Sequence, residues 1–165
     1  MPAQPLLVVM GVSGSGKSLI GSLLAEGLGV PFLDADDLHP VTNVDKMTAG
    51  IPLTDDDRWP WLEKVGQAIA AASATGIVVA CSALRRSYRD TIRAAAPDAQ
   101  FVHLDGSRDL LATRLGSREG HFMPATLLDS QLEALEPLGD GERGLVIGID
   151  HSPEAIVRTL QRELV

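Results

Sequence analysis

At 165 residues, with 45% hydrophobic and 22% charged side chains, the chain is long enough to bury its own core and too apolar to be disordered. Acidic residues outnumber basic ones 22 to 14, and the formal net charge of −8 argues against a nucleic-acid or membrane partner. The single cysteine, Cys81, excludes an internal disulfide; with no signal-peptide pattern and no membrane-length apolar run, a cytoplasmic location is expected.

Five short apolar runs read as strands, in chain order Pro5 to Met10, Val30 to Leu33, Gly76 to Cys81, Gln100 to Leu104 and Leu145 to Ile149. Between them lie stretches with helical spacing, such as Ile20, Leu23, Leu24 and Leu28, or Trp61, Leu62, Val65 and Ile69. Strand and helix alternate, and every intervening segment is long enough for a crossover between parallel strands. The pattern predicts an α/β fold with a parallel sheet, in one domain spanning residues 1–165.

Directly after the first strand, Gly11 to Ser18 read GVSGSGKS, the GxxxxGK[ST] phosphate-binding loop, and a helical pattern follows at once. Gly11, Gly14 and Gly16 let the backbone turn tightly and bring its amides against phosphate oxygens. Lys17 supplies a point charge for the β- and γ-phosphates and is a candidate catalytic residue, and the Ser18 hydroxyl suits Mg2+. The candidate nucleotide contacts are Gly11, Ser13, Gly14, Ser15, Gly16, Lys17, Ser18 and Leu19. The loop alone does not separate a kinase from a nucleotide switch or motor.

Asp34, Asp36 and Asp37 follow the second strand, at the sheet edge where open parallel sheets bind ligands. If the chain stays extended there, Asp34 and Asp36 share one face. Phosphoryl transfer to a hydroxyl needs a group that orients it and takes its proton. Asp36 is the candidate base, with Asp34 joining Ser18 on the metal side.

The stretch DADDLHPVTNVDKMTAGIPLTDDDRWPWL, from Asp34 to Leu62, resembles a segment that distinguishes the gluconate kinase family among small P-loop kinases. The resemblance continues in CSALRRSYRDTIR from Cys81 and in RLGSREGHFMPATLLDSQLEALEP from Arg114. It implies a nucleoside-monophosphate-kinase-like P-loop fold with a five-stranded parallel sheet flanked by helices, a mobile lid over about 114–125 and an acceptor-binding insertion over about 36–75. It further implies ATP and Mg2+ as cofactors, D-gluconate as the acceptor phosphorylated on its 6-hydroxyl, and a homodimer. Leu19 departs from the family, many members of which carry Thr there.

A sugar acid needs cations for its carboxylate and donors and acceptors for its hydroxyls. In that light His39, Lys46 and Arg58 in the insertion are candidate substrate contacts, as are Arg86 and Arg89, three residues apart after the third strand, and more weakly His121 and Gln131. Arg114 and Arg118, four apart, are the candidate lid cations for the phosphates, with Arg118 placed in the catalytic set. Asp55, Asp56 and Asp57 read as a helix start and Trp59 and Trp61 as packing; Cys81, His103 and His151 carry no assigned chemistry. Two other readings remain open: another acceptor on the same scaffold, such as shikimate or a nucleoside monophosphate, or a nucleotide switch that phosphorylates nothing.

Overall fold

The computed structural model describes residues 4–116 and 125–164. Five strands, β1 (Leu6–Met10), β2 (Phe32–Asp34), β3 (Ile77–Ala80), β4 (Gln100–Asp105) and β5 (Gly144–Gly148), form one parallel sheet in the order β2-β3-β1-β4-β5. Between and after them run α1 (Lys17–Leu28), α2 (Val41–Thr48), α3 (Asp55–Ala71), α4 (Arg86–Ala95), α5 (Arg108–Gly116), α6 (Ala125–Ala134) and α7 (Pro153–Leu164).

All five expected strands occur, with ends displaced by at most two residues. The largest displacement has a local cause: Gly29 ends α1 at φ 70, and the Val30 amide donates back to the Ala25 carbonyl, so β2 starts only at Phe32.

Side chains of a strand alternate between faces, and here both faces are covered, which explains the unbroken Val, Ile and Leu runs. Leu6, Val8, Met10, Ile77, Val79 and Phe101 pack under α3 and α4 against Trp61, Leu62, Val65, Ile69 and Ile92. Their neighbours Leu7, Val9, Val78, Val102 and Leu104 face the other way, onto Ile20 and Leu24 of α1 and Ile156 and Leu160 of α7.

β1 lies at the centre, with β3 on one side and β4 on the other, so the chain leaves β1 in opposite directions around the sheet. Such a switch point opens a crevice at the carboxyl ends of the strands. The Gly11–Ser18 loop lies there.

Candidate active site

The phosphate loop needs backbone that ordinary residues avoid. Gly14 and Gly16 take φ 84 and 90. At Gly14 space is short as well: a Cβ would lie 2.9 Å from Leu115 Cγ and 3.2 Å from the Leu111 carbonyl oxygen of α5. The buried Ser15 hydroxyl donates to the Val12 carbonyl (2.7 Å), and Lys17 Nζ donates to the same oxygen (3.2 Å). Gly16 is the N-cap of α1 and offers no side-chain cap, and the first turn holds no acidic residue, so the leading amides are left for an anion.

Two acids meet this loop. Ser18 Oγ donates to Asp34 Oδ2 at 3.1 Å, which puts a hydroxyl and a carboxylate side by side where β2 ends. The expected extended run through Asp36 does not form. Asp34 Oδ1 accepts the Asp36 amide (3.0 Å) and caps a 3-10 turn over Ala35–Leu38, because an Asp at such a position satisfies a backbone donor that an extended chain would expose. Asp36 is thereby turned outward with 82% of its side chain exposed, open to an incoming ligand. Lost hydration beside the protein wall, then repulsion from Asp34, raise its pKa, while His39 and Lys17 oppose them.

Just past Asp36, the His39 ring stacks on Trp61 with centroids 4.0 Å apart, and Trp61 Nε1 donates to the Ala35 carbonyl (2.7 Å). His39 Nε2 faces Asp36 Oδ1 at 3.9 Å, and its Nδ1 lies 3.2 Å from Asn43 Nδ2. Burial is the main cause lowering the His39 pKa. Asn43 escaped the sequence reading; its only signal was its place four residues after His39.

Several expected substrate cations are committed elsewhere. Lys46 donates to both carboxylate oxygens of Asp57 (2.9 and 2.8 Å), tying α2 to the capping box that Thr54 and Asp57 make at the start of α3. That contact, more than any other, holds the Asp57 pKa down at about 2. Asp55 to Asp57 thus do start a helix, as their composition predicted. The Arg58 side chain donates to Asp55 (3.2 Å) and sits over the Tyr88 ring, whose hydroxyl donates to Asp55 (2.6 Å).

Arg89 corrects the sequence reading. It is fully buried, and its donors go to Glu142 (2.9 and 3.3 Å) and to the carbonyls of Ala83, Leu84, Glu136 and Pro137. It pins the chain after β3 to the segment before β5 and presents nothing to an acceptor. Arg86 turns the same way, with Nε 3.3 Å from Glu142 Oε1 and Nη2 donating to the Asp140 carbonyl.

Gln131, expected at the substrate, meets the phosphate loop: its Oε1 accepts the Ser13 amide at 2.7 Å and brings α6 to the loop. Arg108 and Asp129 bridge α5 and α6 beside it (2.5 and 3.1 Å). Arg114 Nη2 donates to the Ile149 carbonyl (2.5 Å), just past β5. Leu19 is exposed on the first turn of α1. Arg118 and His121 lie outside the described residues.

A phosphate loop at the switch point of a parallel sheet, with a hydroxyl and a carboxylate paired beside it and an open second carboxylate beyond, defines a small P-loop kinase. The shikimate kinase family model matches residues 13–164, in keeping with that class. The thermosensitive gluconokinase of Escherichia coli K12 is 49% identical over 87% of this chain and 79% of its own. A probable gluconokinase of Xenopus tropicalis is 44% identical over 96% and 93%. The crystal structure of a gluconokinase from Sinorhizobium meliloti 1021 superimposes with a TM-score of 0.86 at 50% identity, covering 96% of this chain and 92% of that one. The chain belongs to the gluconokinase family.

Proposed function

We propose that the protein transfers the γ-phosphoryl group of ATP to the 6-hydroxyl of D-gluconate, giving 6-phospho-D-gluconate and ADP. The observation that carries this reading is the Ser18 and Asp34 pair, 3.1 Å apart between the phosphate loop and the open carboxylate of Asp36. The pair supplies two hard oxygen donors, which suit Mg2+; among the described residues no group of three or more His, Cys, Asp or Glu gathers, here or elsewhere. That set fits an ion taking its remaining ligands from phosphate and water. When bound, Mg2+ neutralises charge on the transferring group.

The chain's own residues do the rest. Loop amides and Lys17 hold the phosphates, Ser18 and Asp34 hold the metal side, and Asp36 orients the acceptor hydroxyl and takes its proton. His39 and Arg58 are the acceptor contacts this geometry supports best: each lies in the insertion, His39 beside Asp36 and Arg58 with a single side-chain hydrogen bond. A cytoplasmic location is proposed from the sequence pattern and a homodimer from the family resemblance; among the described residues no helix is long and apolar enough to cross a membrane.

A coupled assay of ADP release with gluconate, shikimate, AMP or no acceptor tests the reading. Gluconate-stimulated release is expected. Stimulation by shikimate or AMP alone moves the acceptor, and nucleotide binding with no acceptor-dependent turnover makes the protein a switch.

A further inference from the structure

We propose that Asn43 fixes the tautomer of His39, so that the His39 Nε2–H and the Asp36 carboxylate together hold the acceptor hydroxyl in one orientation. The role toward the acceptor rests on Asp36 being the group that meets the reacting hydroxyl; the tautomer does not.

Asn43 is 2% exposed and uses one nitrogen twice. Its Nδ2 lies 2.9 Å from the Asp57 carbonyl oxygen and 3.2 Å from His39 Nδ1. A peptide carbonyl only accepts hydrogen bonds, and the flipped amide would press two acceptor oxygens together, so the nitrogen belongs where it stands. Nδ2 therefore donates to His39 Nδ1, which must present its lone pair. A neutral imidazole carries one N–H, and it is left on Nε2.

The ring has little freedom to turn away. Its side chain is 3% exposed, and it lies at 19° to Trp61, itself held by the Ala35 carbonyl. Burial lowers the His39 pKa, Asp36 pulls the other way and Arg58 adds to the lowering; burial leads, favouring the neutral ring.

Nε2 makes no hydrogen bond among the described residues and faces Asp36 Oδ1 at 3.9 Å, too far for a direct bond. Two groups at that separation can each reach one shared oxygen at about 2.8 Å. A hydroxyl in that position donates its proton to Asp36 and receives Nε2–H on one lone pair. Its second lone pair then has a single direction, and transfer depends on in-line alignment of that lone pair with phosphorus. Asn43 is a positioning residue in this arrangement, acting through His39.

The test begins with the unmodified full chain. Long-range 1H–15N correlation of the histidine rings, with His39→Gln used to assign His39 among the four histidines, reads the tautomer directly. The Nε2–H form is expected at pH 8, and the Nδ1–H form overturns the proposal. In Asn43→Leu the population should move toward Nδ1–H while kcat falls about tenfold with KM for ATP within about twofold. Should that variant fail to fold, two others decide. His39→Phe keeps the stack on Trp61 and loses the donor, so kcat should fall roughly 100-fold. His39→Gln, whose amide reaches the Nε2 position, should recover part of it. Parental kcat in His39→Phe, with Asp36→Asn inactive, sinks this proposal alone. Parental kcat in Asp36→Asn sinks the assignment of the base instead, whatever the tautomer.

Discussion

Replacing Arg89 with methionine separates a residue that holds the fold from one that holds the acceptor. The guanidinium and its partner Glu142 are both fully buried, at 2.9 Å, and four backbone carbonyls share the remaining donors. Truncating one member of a buried ion pair costs about 3–5 kcal/mol, because the other charge stays behind without its counterpart. Glu142 would retain Arg86 and Arg93, at 3.3 and 3.4 Å, which points to the lower end of that range. At roughly 2–4 °C per kcal/mol for a chain of this length, a loss of about 3 kcal/mol lowers Tm by roughly 6–12 °C. Circular dichroism melting, paired with steady-state kinetics at 20 °C below the variant's midpoint, reads both quantities. The expectation is the Tm drop with KM for gluconate within about twofold of the parent. A midpoint within about 2 °C of the parent, with KM for gluconate raised tenfold, would return Arg89 to the acceptor site and refute the buried-pair reasoning. Arg89→Lys should recover little, since a single ammonium cannot serve a carboxylate and four carbonyls spread around a planar fork.

Asp36→Asn should lower kcat by roughly 100-fold or more while ATP binding, followed by calorimetry, stays near the parental affinity; near-parental kcat places the base elsewhere. Gln131→Leu leaves the Ser13 amide without its acceptor and should raise KM for ATP about tenfold with KM for gluconate little changed, whereas the reverse pattern makes Gln131 a sugar contact. The Asp57 carboxyl, held at about 2 against an ordinary 3.8, contributes stability that is complete above about pH 4 and is lost as pH falls toward 2. Urea midpoints between those limits should therefore fall more steeply for the parent than for Asp57→Asn; parallel curves would show that the Lys46 contact contributes nothing to acid stability.

The fold was legible because its signals are local. The five apolar runs and the helical spacings between them each span fewer than a dozen residues, and the phosphate loop is contiguous from Gly11 to Ser18. The place of Asp34 beside the loop was also within reach, since the end of β2 had to meet the crevice there, although the 3-10 turn that Asp34 caps and that carries Asp36 was not foreseen. The substrate cations fared worse for a physical reason. The three-residue spacing of Arg86 and Arg89 was correctly read as one helix face, but Glu142, more than fifty residues on, is what that face meets. Lys46 likewise finds Asp57 across a helix junction. In a chain with 22 acids and 14 bases, an Arg or Lys side chain has many internal carboxylates to choose from, and motif adjacency does not say which one the fold delivers. Backbone amides meet less of that competition: Gln131 takes the Ser13 amide, but the first turn of α1 carries no acidic residue and the loop glycines add no side chains of their own. The Gly11–Ser18 loop takes its shape chiefly from local backbone geometry, and this is why its place and conformation could be read from eight consecutive letters while the partners of Arg86, Arg89 and Lys46 could not.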